Sequence, residues 1–136
     1  MPLSPPPELR VGIDVVAVER MSRLLGEHED AATTLFTERE LAYCGARRRP
    51  TEHLAARFAA KEAVLKAFGT GMDRGMRWTD VEVVHDPGGR PSVELHGAVG
   101  DLARRRGLGQ LDVSLTHSAG IAAAHALLVW QRCAST

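Results

Sequence analysis

The stretch from Thr51 to Gly69, TEHLAARFAAKEAVLKAFG, constrains the fold more than any other part of the chain. It is rich in Ala, Leu, Glu and Lys and has no internal proline or glycine. This predicts a helix over Glu52–Phe68, capped by Thr51 and stopped by Gly69. Leu54, Phe58, Leu65 and Phe68 give it an apolar stripe, which must be buried against another element. The second half of the chain offers strands for that purpose. Trp78–His85 alternates, with Val81, Val83 and His85 on one face and Asp80, Glu82 and Val84 on the other. Asp86-Pro87-Gly88-Gly89 reads as a turn, with Ser92–Leu95 returning as its partner strand. Leu111–Thr116 and Ile121–Trp130 read as two final strands around a turn at Ser118-Ala119-Gly120. The alanines leave the last segment open between strand and helix.

Before the long helix, Arg10–Val16 is apolar and β-branched and reads as a short buried strand. Val18, Met21, Leu24 and Leu25 fall at helical spacing, predicting a helix to about His28. Thr37-Glu38-Arg39-Glu40 is a capping box that opens a short helix ending near Gly45. Ala98–Arg106 reads as a further helix closed by Gly107. Helices come first and strands dominate later, so the expected class is α+β rather than alternating βαβ. Residues 1–9, with Pro5-Pro6-Pro7, read as an N-terminal arm, and residues 10–136 as one domain.

With 17 basic and 17 acidic residues the 136-residue chain has no formal net charge. That gives no whole-molecule attraction for nucleic acid or an anionic membrane. No apolar run is long enough for a transmembrane helix, and the start of the chain does not read as a signal peptide. Cys44 and Cys133 lie far apart without metal-ligand spacing and read as free thiols of a reducing cytoplasm. Lys61 and Lys66 are the only lysines; every other basic residue counted is an arginine.

Three places can carry chemistry. Glu62 and Lys66 are four apart on one helix face, and Gly69-Thr70-Gly71 follows at the helix end. A carboxylate, an ammonium and a backbone with few side chains suit a phosphate ester with a divalent cation. The same pattern also describes a solvated helix pair ahead of a glycine C-cap. Asp14 interrupts an apolar strand, where it binds metal, finds a partner, points outward or caps the next helix. His117 ends a strand beside a turn, as a site residue or a hydrogen-bonded surface one.

Taken together, Gly12-Ile13-Asp14 with Glu19-Arg20, the Phe58–Gly71 block and Val113-Ser114-Leu115-Thr116-His117 resemble the 4′-phosphopantetheinyl transferases of the small, holo-acyl-carrier-protein synthase type. Trp78 with Asp80-Val81-Glu82-Val83, and Gly89-Arg90-Pro91, fit the same pattern. The resemblance covers roughly residues 10–130. It implies a phosphopantetheinyl transferase-like fold, a long helix packed on a mainly antiparallel sheet. It implies transfer of the phosphopantetheine arm of coenzyme A to a serine of an apo acyl carrier protein, in fatty-acid or polyketide biosynthesis, with release of adenosine 3′,5′-bisphosphate.

By the same resemblance, Asp14 and Glu62 are the Mg²⁺ ligands and Lys66 lies near the transferred phosphate. Arg57, Lys66, Gly69, Thr70, Gly71, Pro91 and His117 hold coenzyme A. A homotrimer with sites in clefts between protomers is implied, and Val16 in place of a third carboxylate agrees with the small type. Asp14, Glu62 and Lys66 are the expected catalytic residues, with Glu62 the base that takes the serine proton, directly or through a metal-bound water. Arg20, Met21 and Arg23 are the expected carrier-docking residues. Ala17 and Ser118 depart from the residues often found in relatives. A silent binding module and a Mg²⁺-dependent nucleotide-ester hydrolase are the competing readings. The sequence assigns no role to Lys61.

Overall fold

The structure is a computed structural model and describes residues 5–73 and 75–131. The elements are β1 (Glu8–Ala17), α1 (Val18–Glu27), α2 (Ala31–Leu35), α3 (Glu38–Gly45), α4 (Pro50–Phe68), a 3₁₀ turn (Trp78–Asp80), β2 (Val81–His85), β3 (Pro91–Leu95), α5 (Gly97–Arg106), β4 (Leu108–Ser118) and β5 (Ile121–Trp130). The strands form two antiparallel sheets: β1-β5-β4, and the hairpin β2-β3. The α+β expectation therefore holds, with the strands divided between two sheets.

α4 is the axis of the molecule. It starts one residue before the expected cap: Arg49 is the N-cap, without a side-chain hydrogen bond, and Pro50 takes the first helical position. Proline fits there because that N–H has no helical acceptor. At the other end Gly69 adopts φ 79°, its N–H bonds the Lys66 carbonyl, and the Thr70 N–H bonds Leu65. Those two bonds close the helix in a Schellman turn.

The expected apolar stripe is too narrow. Ala55, Ala56, Ala59, Ala60, Ala63 and Ala67 are buried along with Leu54, Leu65 and Phe68, whereas Phe58 is only partly buried. One flank of α4 meets the large sheet, where Ala122, Ala124, Ala126 and Leu128 of β5 are buried. Small residues on both surfaces let helix and sheet approach closely. The limit is reached at Gly12, where an added Cβ would lie 1.9 Å from the Ala63 carbonyl oxygen. Only glycine fits, and its absence of side chain sets β1 directly against α4.

β5 resolves as the central strand of its sheet, hydrogen-bonded on both sides. Its turn to β4 places Ala119 at φ 52° and Gly120 at φ 79°, the left-handed pair that two-residue hairpins require. β1 begins at Glu8, paired with Trp130, so the last two residues of the expected arm belong to the sheet. Nor is β1 buried on both faces: Leu9, Val11, Ile13 and Val15 are 59–63% exposed. Alternation puts Gly12, Asp14 and Val16 on the opposite face, toward α4.

Trp78–Asp80, expected to begin a strand, instead form the 3₁₀ turn, because the Asp80 carboxylate accepts from the Arg77 N–H and its carbonyl accepts from His96. The capping box of α3 is present as expected, with Thr37 and Glu40 reciprocally bonded. α2 carries no pattern that the sequence reading detected. Cys44 is a free, buried thiol whose pKa burial pushes up to about 11. Cys133 lies outside the described residues.

Candidate active site

Two groups of side chains project from different sides of α4. The first joins its last turns to β1. Lys66 Nζ donates to Asp14 Oδ1 at 2.9 Å and to the Ile13 carbonyl at 3.0 Å. The i, i+4 partner expected for Lys66 was Glu62; the lysine reaches across to β1 instead. Asp14 neither points away from the protein nor caps α1, whose N-cap is Ala17 without a side-chain bond. The Glu62 carboxyl is raised in pKa, first by burial and then by the Asp14 charge, while Lys66 and Arg20 oppose the rise. Two carboxylates thus share one half-exposed ammonium. The excess negative charge and the hard oxygen donors of Asp14 and Glu62 fit a divalent cation such as Mg²⁺.

The second group lines a cavity of about 200 Å³ formed by Tyr43, His53, Ala56, Arg57, His85, Gly89, Pro91, Leu115 and His117. Three expected coenzyme A residues, Arg57, Pro91 and His117, meet here. Arg57 is buried at 1% exposure, lies over the Tyr43 ring at 4.4 Å, and donates from Nη2 to His85 Nδ1 at 2.9 Å. Its Nε has no hydrogen-bond partner, and no carboxylate pairs with Arg57 among the described residues. An unpaired buried guanidinium is costly, so the cavity is electrostatically prepared for an anion. His117 Nδ1 sits 3.2 Å from Glu52, and its ring meets His53 edge-on at 5.1 Å. A larger hollow of about 470 Å³, beside Arg105 and Trp130, contains none of these residues.

His53, His85 and Tyr43 belong to this cavity and were missed in the sequence. His53 carried a readable signal, standing four residues before Arg57 on the same helical face. Tyr43 and His85 carried none, because the cavity joins three distant segments. Met21, expected at the docking surface, is 1% exposed and packs in the core, so its side chain is not available there. Arg20 and Arg23 are exposed on α1. Gly69 and Thr70 serve the helix cap described above, and a side chain at Gly71 would meet nothing within 4 Å.

Lys61, unexplained from sequence, is wholly buried. It donates to Glu40 Oε1 at 2.8 Å and to the Trp78 and Val81 carbonyls. The other Glu40 oxygen accepts from the Val83 N–H at 3.0 Å. Elsewhere Glu82, Glu94 and His96 bring ligand atoms within 4.8 Å of one another. Arg39 already bonds both carboxylates and holds Glu82 down to about 2, so the group is an ion-pair network with its cation in place.

A helix laid on an antiparallel sheet carries paired carboxylates beside a lysine and, on another side, a cavity with an unpaired buried guanidinium, charges complementary to a metal-bound phosphate compound. The model of the 4′-phosphopantetheinyl transferase superfamily matches residues 10–124, and the chain belongs to that family. It is 48% identical to a holo-[acyl-carrier-protein] synthase of Moorella thermoacetica over 88% of this chain and 93% of that one. A protein of the same name from Salinispora arenicola is also 48% identical, over 84% and 92%. Among solved structures, an ACPS–CoA complex from Chronobacterium ammoniagenes superposes with TM-score 0.81 at 30% identity, covering 92% of this chain and 99% of that one. An acyl carrier protein synthase from Mycobacterium tuberculosis is 37% identical, with TM-score 0.69 over 88% and 95%. No helix of the described residues is long and apolar enough to cross a membrane.

Proposed function

We propose that this chain is a Mg²⁺-dependent holo-acyl-carrier-protein synthase of the cytoplasm, serving fatty-acid or polyketide synthesis. It transfers the 4′-phosphopantetheine arm of coenzyme A to a serine of an apo carrier protein. The observation that carries the site assignment is the meeting of Asp14, Glu62 and Lys66 between β1 and α4. Asp14 and Glu62 hold Mg²⁺, which when bound neutralises pyrophosphate charge. Lys66 places an ammonium beside the transferred phosphate. Glu62, its basicity raised by burial, takes the proton of the attacking serine hydroxyl. Arg57, Pro91 and His117 seat a phosphate-bearing part of coenzyme A in the cavity, and the Gly69-Thr70-Gly71 turn lets the ligand approach backbone. Arg20 and Arg23 face the acidic carrier.

The active assembly in this reading is a homotrimer. Two features support it. The outer face of β1 and β5 exposes Leu9, Val11, Ile13, Val15, Ile121 and Leu127, an apolar face of the kind that marks an interface. In addition, Arg57 and Glu62 project about 140° apart around α4 at 100° per residue. A ligand touching both sets cannot pass through the buried helix, so a second copy completes each site.

Incubation with apo carrier, coenzyme A and Mg²⁺, read by intact-protein mass, tests the reading. A phosphopantetheine adduct is expected, absent with Glu62→Gln of unchanged fold. Cleavage of coenzyme A without adduct would establish a hydrolase, and no reaction a binding module.

A further inference from the structure

The cavity beside α4 contains more titratable groups than anion binding requires. Arg57 Nη2 donates to His85 Nδ1, so that nitrogen carries no proton and His85 is neutral with its proton on Nε2. The His85 ring is stacked flat on Tyr43, with centroids 4.3 Å apart and planes 6° apart, which leaves it little freedom to turn. Among the described residues Arg57 meanwhile spends its one hydrogen bond on a neutral ring, with Nε unpartnered and buried. The guanidinium is therefore parked on the imidazole, and an entering phosphate offers it a far stronger, charged acceptor.

We propose that His85 is a proton-coupled positioning residue for the phosphate of coenzyme A: it holds Arg57 by their hydrogen bond and takes up a proton when the phosphate draws Arg57 away. The proposal rests on the coenzyme A reading above. The proton comes from solvent, the imidazole becomes imidazolium, and no other bond changes. Before binding, His85 faces Arg57 and His53 of α4, Arg47 from the loop after α3, Tyr43 of α3, and Asp86 next along its own chain; His117 of β4 lines the same cavity. Burial, then Arg57, Arg47 and His53, hold the imidazole below its ordinary pKa, and only Asp86 opposes them. A phosphate dianion shifts that balance, because a cation on His85 then faces an anion that has drawn Arg57 off the ring, and Arg47 alone of the two arginines keeps its place.

The consequence is a sign that ordinary phosphate titration does not produce. A phosphate monoester loses its second proton near pH 6, so its own ionisation tightens binding as pH rises. Proton uptake by His85 weakens binding as pH rises, by about tenfold per pH unit where one full proton is taken up.

The test is calorimetric binding of coenzyme A to the wild-type protein between pH 6.5 and 8.5, in buffers of differing ionisation heat. His85→Asn, which keeps an acceptor for Arg57 but cannot titrate, and His53→Phe are measured beside it. Net uptake by wild type and His53→Phe, lost in His85→Asn while coenzyme A still binds, is expected. Uptake retained by His85→Asn, or lost only in His53→Phe, overturns the assignment. Binding by wild type with no uptake overturns the inference and leaves the coenzyme A reading intact, whereas no binding at all overturns both. A parallel titration with 3′-dephospho-coenzyme A separates the sources. Lost uptake assigns the coupling to the 3′-phosphate, and retained uptake assigns it to the pyrophosphate; either result supports the proposal.

Discussion

Lys61 and Lys66 lie five residues apart on one helix and occupy opposite kinds of environment. Lys61 is completely enclosed, tied to Glu40 and to the carbonyls of Trp78 and Val81, and so joins α3, α4 and the start of β2. Lys66 is half exposed, tied to Asp14, and stands beside a second carboxylate. The first node has a donor or acceptor for each charge. The second has surplus negative charge and room for a ligand. The helix thus uses one lysine to close the protein and the other to leave it open.

Breaking the closed node has the largest effect. Lys61→Met strands the Glu40 carboxylate in the core and should cost about 3–5 kcal/mol, read as the urea midpoint of unfolding. Burial already pushes the Lys61 ammonium toward its neutral form, with Glu40 opposing it, so the pair is poised to fail when either partner goes. Lys61→Arg, whose outcome sequence alone does not decide, keeps the charge but adds volume at a site with no exposure. It should cost about 1–3 kcal/mol by overpacking. A Lys61→Arg protein as stable as wild type would show that the node tolerates an open geometry after all.

Lys66→Arg sharpens the contrast by making the same exchange in the open node. The side chain is 53% exposed, so stability should move by no more than about 0.5 kcal/mol. Transfer should fall by about 10- to 100-fold in kcat/KM, the rate equivalent of losing one charge-assisted hydrogen bond of roughly 1.5–3 kcal/mol. A planar guanidinium cannot place its charge where the compact ammonium sits between Asp14 and the Ile13 carbonyl. Loss of stability with transfer retained would reverse the two assignments.

The same pair explains what could be read in advance. Glu62, Lys66 and Asp14 were legible because motif spacing and an acid inside an apolar strand are local signals. The α4 boundaries were legible to within two residues, from propensity and Gly69. Lys61 was not, since its partners Glu40 and Val81 are about 20 residues away on either side and only the packed chain brings them together. Met21 misled for a related reason: on α1 its helical spacing fits both a core face and a docking face, and tertiary packing chose the core. The exposed face of β1 misled too, because a β-branched strand looks the same in sequence whether its second side is covered or exposed.

The smallest effect, and the one that most directly measures the openness of the second node, concerns Glu62 in metal-free protein. Its carboxyl is raised in pKa in the fold, by burial and by Asp14. An acid whose folded pKa lies above its unfolded value favours folding less once ionised. The cost is absent below the ordinary carboxylate range and fully present above the folded pKa. Glu62→Gln should therefore raise Tm at pH 7 and change nothing below the ordinary carboxylate range. Mg²⁺ should cancel the gain at pH 7 by raising the Tm of wild type and leaving the variant where it is, since binding to the native state alone stabilises it. A variant no more stable than wild type at pH 7 without metal would mean that Asp14 and Glu62 are already neutralised by Lys66 and Arg20. The open node would then be as closed as the one around Lys61.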